Sequence, residues 1–168
     1  MTASTPAPAP DQALQGHYVG IATRFAGFLI DVFMIAVLFS VGGHVIDYVL
    51  SVLLSKPVQF SDTSTVARVA LVLWAFVYCA YPLSASGRTL GMAALGVRAV
   101  RADGRDLDTR QAIVRVLVFP LSFLLFGLGF VLILLRRDRR ALHDLIASTA
   151  VVYAWDARAG RLRFLLKR

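Results

Sequence analysis

The chain alternates long apolar runs with short polar blocks. Phe25 to Val41 reads FAGFLIDVFMIAVLFSV, broken by one carboxylate, Asp31, with Arg24 at its threshold. Apolar character persists to about Leu54. A spanning helix needs about 20 residues, so this run is long enough with surplus. Gly42-Gly43 is expected to bend it, and His44 and Asp47 to mark its exit from the core. Loop 55–65 is polar, and a second apolar run follows from Val66 to Ala85. Tyr78 and Tyr81 near its far end suit the headgroup layer, and Pro82 is expected to kink or end it. In 86–112 the pattern changes. Val97-Arg98-Ala99-Val100-Arg101 alternates, and Asp103-Gly104 is a turn pair. This predicts a short β-hairpin, with a further strand from Thr149 to Trp155.

The third apolar run, Ile113 to Leu135, holds Arg115, Pro120 and Gly127-x-Gly129. Its length suits a single crossing, but charge opposes one. The stretch 86–115 carries six Arg, and nine basic residues lie from Arg136 onward. A single crossing puts one of these blocks outside, against the positive-inside rule. A kinked hairpin, broken between Pro120 and Gly129, keeps both inside; a plain third span is the alternative. The predicted fold class is therefore an all-α membrane protein. It has two transmembrane helices, a third kinked or re-entrant segment and a small cytoplasmic β-hairpin or sheet.

Composition agrees. The 168 residues are 58% hydrophobic, with a mean hydropathy of +0.69, and carry a net charge of +8. That charge lies in blocks beside apolar runs, which reads as anionic lipid headgroups rather than nucleic acid. Cys79 is the sole cysteine, so no internal disulfide is expected. Residues 1–17 are rich in Pro, Ala and Thr and are expected to be a disordered tail. With Arg24 as its first basic residue, the N-terminus does not read as a secretory signal. Residues 18–155 form the expected membrane domain, and 156–168 a basic tail. The tail's Phe164, Leu165 and Leu166 beside its charges suggest an interfacial segment.

Asp31 carries the candidate chemistry. A charge in hydrocarbon costs several kcal/mol, so it is seldom left without a partner or a role. Arg24 lies two helical turns away on the same face, with about 10 Å of rise between them. Arg115 opens the third run and is the other candidate partner. Asp31 therefore reads either as an anchor between helices or as an ion or proton site. His143 and Asp144 are adjacent and face about 100° apart on a helix, a weak metal signal. Asp144 reads as a salt-bridge or cap residue, with Arg24 a candidate partner. Arg24, Asp31, Arg115 and Asp144 make up the expected charged network. The sequence has no Gly-rich phosphate loop, nucleophile elbow or zinc-ligand spacing, so neither catalysis nor a cofactor nor a metal is expected.

These residues together resemble the RDD family of small bacterial membrane proteins. Three places carry the resemblance: Arg24-Phe-Ala-Gly-Phe-Leu-Ile-Asp31; Ser86-Gly-Arg-Thr-Leu-Gly91 with Leu95-Gly-Val-Arg-Ala-Val100 and Asp103-Gly104; and Leu142-His-Asp144-Leu-Ile-Ala-Ser-Thr149. It covers about Tyr18 to Val152, and implies that Asp144 is the family's second aspartate. Met92 stands where a Lys often follows the central Gly. Ser148 stands where a Gly is usual, which argues against a tight turn there. The resemblance implies a membrane domain of mostly unknown function, some of whose relatives are linked to sodium/proton exchange. Oxygen ligands for Na⁺ are few: Asp31, Ser40, Ser122 and backbone near Pro120. Two functions are expected: cation or proton transport as an oligomer around Asp31, or a non-transporting accessory module that binds a partner or anionic lipid. Gly27, Ala26, Gly42 and Gly43 give small surfaces for helix packing in a homo-oligomer or against another membrane protein. The expected site of action is the bacterial cytoplasmic membrane, with basic loops and both termini on the cytoplasmic side.

Overall fold

The structure, a computed structural model, describes residues 18–58, 64–124, 133 and 139–154. The N-terminal tail, the basic C-terminal tail and most of 125–138 lie outside the described residues, and with them the Gly127-x-Gly129 end of the predicted break.

Helix α1 spans Ile21–Leu54 without interruption. At 1.5 Å per residue its 34 residues rise about 50 Å, well beyond the hydrocarbon thickness. The predicted bend at Gly42-Gly43 does not break it; nothing lies within 4 Å of a side chain placed at either glycine. Helix α2 spans Thr65–Ser86. Ser64 caps its start, the hydroxyl accepting from the Ala67 N–H at 3.1 Å. Pro82 lies inside α2 and does not end it. The end comes four residues later at Ser86, followed by Gly87, whose φ of +71° and bond to the Leu83 carbonyl form a left-handed cap. A Cβ on Gly87 would also fall 2.8 Å from the Ala99 carbonyl oxygen.

Both helices are long and apolar enough to cross a membrane. Their outer faces bear large apolar side chains in the open, among them Phe33, Val72 and Leu73, each at least 60% exposed. Such a surface is stable in lipid and a liability in water.

The buried core gathers at one end. Short helix α3 (Leu90–Ala94) leads into β1 (Val97–Arg101), which pairs antiparallel with β2 (Thr149–Tyr153). The predicted hairpin at Asp103-Gly104 turns back, but its return arm is a single bridge, Val100 to Asp106. The long-range strand is the main partner of β1 instead. Tyr18 and Val19 join the other edge of β2, through a Tyr18–Val152 bridge and the Val19 N–H to the Val151 carbonyl. Val19, Val97 and Val151 pack beneath, beside a second cluster of Leu83, Ala99, Leu107 and Ala112.

Helix α4 (Thr109–Leu124) starts from this end. Gln111 accepts from the Asp108 N–H and Asp108 from the Thr109 N–H, a local cap at the entry. Pro120 lies within α4, which continues to Leu124. Helix α5 (Leu142–Ile146) packs on α4 and leads into β2. Between them Ser148 takes a φ of +52°, so the tight turn forms without the glycine.

Candidate functional site

Two buried aspartates organise the molecule, with different partners. Asp144 is fully buried on α5. It lies at the third position of that helix and accepts from the Ala141 N–H at 3.1 Å, closing the helix start. Arg24 from α1 pairs with its Oδ2, and Arg115 from α4 with its Oδ1. Arg24 also donates to the carbonyls of Val19 and Arg139, at 3.2 and 2.8 Å. Arg115 donates to Thr149 Oγ1 at 2.9 Å. One carboxylate thus ties α1, α4, α5 and β2 together. Burial alone would raise its pKa; Arg115 and Arg24 outweigh that and hold it well below the usual carboxylate range.

His143 is buried beside it. Its Nδ1 shares a hydrogen bond with Ser122 Oγ at 3.0 Å, and its ring meets Phe119 edge-on. Burial pushes the imidazole down to about 3; Asp144 opposes this, and the guanidinium groups of Arg115 and Arg24 reinforce it. His143 is therefore neutral at physiological pH.

Asp31 is buried in α1, ten residues past its start. Neither guanidinium bonds it, so the arginine partner expected for it is corrected: both candidates serve Asp144 instead. Three neutral donors hold Asp31: Tyr78 Oη at 3.0 Å, Thr89 Oγ1 at 2.5 Å and the Gly91 N–H at 2.8 Å. Tyr78 accordingly turns inward, whereas Tyr81 is 73% exposed. The oxygens suggested for Na⁺ do not gather either. Ser40 is exposed, nine residues up α1, and Ser122 bonds His143.

The collar depends on close approach. A Cβ on Gly91 would collide with the Gly27 carbonyl oxygen and lie 2.9 Å from the Asp31 carboxylate. Thr89 caps α3, its hydroxyl accepting from the Met92 N–H at 3.3 Å while donating to Asp31. Tyr78, Thr89 and Gly91 escaped the sequence reading because they are neutral. The available signal was the Ser86-Gly-Arg-Thr-Leu-Gly91 string, in which Thr89 reads as a helix cap whose first N–H groups face an anion.

A cavity of about 610 Å³ joins the two sites. Asp31 and Thr89 line it, as do Arg24, Arg115 and His143, and apolar side chains such as Phe28 and Phe119 form its body. Among the described residues no three His, Cys, Asp or Glu side chains gather to hold a metal.

The model of the RDD family matches residues 18–148, a range that contains both aspartates. The chain belongs to the RDD family. Two proteins of Bacillus subtilis (strain 168) are similar to this RDD protein. The uncharacterized protein YckC is 40% identical over 78 residues, 44% of this chain and 52% of YckC. The uncharacterized protein YxaI is 37% identical over 65 residues, 39% of this chain and 42% of YxaI. These matches span about half the length of each relative. No solved structure matches this RDD chain.

Proposed function

We propose that this RDD protein is a multi-pass protein of the bacterial cytoplasmic membrane that moves protons or small cations as an oligomer, with Asp31 as the carrying group. One observation supports the reading. Asp31 is buried in a span on the wall of a cavity, and among the described residues its hydrogen bonds come from neutral donors. Charges inside spans pair with one another or mark pathways. Here no cationic side chain among the described residues bonds the carboxylate, so in this reading a mobile cation balances its charge. The Tyr78 and Thr89 hydroxyls can turn from donating to accepting, so a carboxylic acid is accommodated as well as a carboxylate.

The third apolar run enters and returns on the cytoplasmic side in this proposal. In support, Arg115 near the start of α4 and the Arg139 carbonyl beyond the run meet around the same Asp144 and Arg24 cluster. The β1–β2 sheet and both Arg blocks then share that side.

The protein is proposed to be non-catalytic. Ser122, His143 and Asp144 are of the types used in nucleophilic relays, but Ser122 is fully buried and His143 is too weak a base. Both Asp144 oxygens are engaged by arginine.

The accessory-module reading is favoured by the Gly27–Gly91 contact, which makes the Asp31 collar a rigid joint. Proton and Na⁺ flux into vesicles holding the wild-type chain and Asp31→Asn separates the two. Transport requires flux that vanishes in a folded Asp31→Asn protein. Equal flux in both, or none in either, leaves the module reading.

A further inference from the structure

We propose that the 610 Å³ cavity binds an anionic phospholipid, with its phosphate on the free edge of Arg115 and one acyl chain in the apolar body. This goes beyond the transport reading and does not depend on the charge of Asp31.

The first observation is an incompletely used guanidinium. Arg115 is 8% exposed, and it bonds through Nη1 alone, to Asp144 and Thr149. Its Nε and Nη2 donate to no group among the described residues. Among the described residues, the fully occluded side-chain donors without a partner are Arg98 Nε and Arg101 Nε, and the Arg115 nitrogens are not among them. Arg115 lines the cavity. Two adjacent N–H groups on one planar edge match two oxygens of a phosphate.

The second observation is charge. Arg24 and Arg115 share one carboxylate, Asp144, so the buried triad carries an excess positive charge. A single anion neutralises it. Asp31 lies at the other end, about 10 Å along α1 from Arg24 by helix rise, with its oxygens turned into the collar.

The third observation is the placement of the mouth. Phe25 and Val32 line the cavity yet are 58% and 45% exposed, so it opens on the outer, lipid-facing side of α1. Phe28, Val116 and Phe119 form an apolar wall beyond. A cavity of this volume is in the range of small-molecule sites and smaller than a whole phospholipid, so one chain enters and the remainder stays in the bilayer. The neutral phosphocholine head has no unbalanced charge to offer the triad.

The test is native mass spectrometry of the full chain in detergent, with equimolar phosphatidylglycerol, phosphatidylcholine and oleate. We expect one phosphatidylglycerol retained, with a preference of about tenfold over phosphatidylcholine, the usual scale of a charge-assisted hydrogen-bond pair. Ala22 lines the cavity, is exposed and bonds no member of the triad, so Ala22→Trp should narrow the mouth and reduce retention about as much, with an unchanged melting temperature. Arg115→Gln removes the edge, but it also disturbs Asp144, so Ala22→Trp is the deciding variant. Equal retention of the two phospholipids, full retention in Ala22→Trp, or capture of oleate alone would each overturn the proposal.

Discussion

At the residue scale, the two aspartates predict different failures. Removing the carboxylate charge of Asp144 leaves two guanidinium groups buried against each other. Losing one partner of a buried ion pair costs about 3–5 kcal/mol, so Asp144→Asn should not give a folded, extractable protein. Monodisperse elution of that variant in detergent would contradict the clasp. Gly91 and Gly27 face each other, yet their tolerances differ. Gly91→Ala places a methyl on backbone and carboxylate, an overpacking cost of about 1–3 kcal/mol or more. Gly27→Ala meets only ordinary contacts at 3.5 and 3.6 Å and should match the wild type within about 1 kcal/mol. Thermal unfolding of the two variants reads the contrast. Asp31 was legible in the sequence because it stands alone in an apolar run. Its partners were not, because the reasoning matched charge with charge. The hydroxyls of Tyr78 and Thr89 and the Gly91 N–H carry no charge signal, and they meet Asp31 from 47 to 60 residues away.

At the element scale, Ser148 shows what one departure from a motif does. The turn between α5 and β2 needs a left-handed residue, and the backbone adopts it with serine, φ +52°. Its carbonyl still accepts from the Ala102 N–H at 2.9 Å, fastening the β1 turn. A side chain in that region costs about 1 kcal/mol relative to glycine. Ser148→Gly should therefore raise stability by about 0.5–1 kcal/mol, measured as a higher melting temperature; a lower one would argue against strain at this turn. The two long helices were legible from run length alone, since lipid selects continuous apolar stretches. Their ends were less so. Pro82 reads as a kink or an end; α2 continues past it to the left-handed Gly87, and Ser86 Oγ reaches back to the Pro82 carbonyl at 2.9 Å. Strand β1 was legible from alternation, while the choice between hairpin return and distant β2 rests on packing that no local pattern encodes.

At the scale of the whole molecule, stability should respond to mild acid through one residue. His143 joins α4 to α5 through Ser122 and is held neutral, its pKa pushed down to about 3. In the unfolded chain it takes up a proton near pH 6.5, and the folded state refuses it until far lower. Stability contributed by the neutral ring is thus complete above about pH 6.5 and falls as pH drops toward 3. The slope approaches about 1.4 kcal/mol per pH unit. Asp144, with its pKa depressed, adds a loss only below the ordinary carboxylate range. Between pH 6.5 and 4.5 the falling melting temperature should therefore trace to His143, and His143→Gln should flatten it. An unchanged slope in that variant would move the acid sensitivity elsewhere.

The fold also fixes which segments share an end of the molecule. Helix α1 begins beside β2, where the Val19 N–H meets Val151, and α2 ends beside β1, where the Gly87 carbonyl accepts from Ala99 at 2.7 Å. Helix α4 starts and α5 lies at this same end, since both pack around Asp144 with Arg24. Ser55 and Lys56 follow the other end of α1, about 50 Å away by helix rise. A bilayer core of about 30 Å fits between these two ends. Arg105, 80% exposed at the side chain, marks the sheet side. With Cys79 replaced by Ala, Arg105→Cys should react with an impermeant maleimide only after the membrane is opened, and Lys56→Cys should react in intact cells. The proposed topology puts Arg105 on the cytoplasmic side, because basic loops are retained there. Labelling of both from one side would mean that α1 and α2 do not cross, and the apolar faces of Phe33, Val72 and Leu73 would need a protein partner in place of lipid.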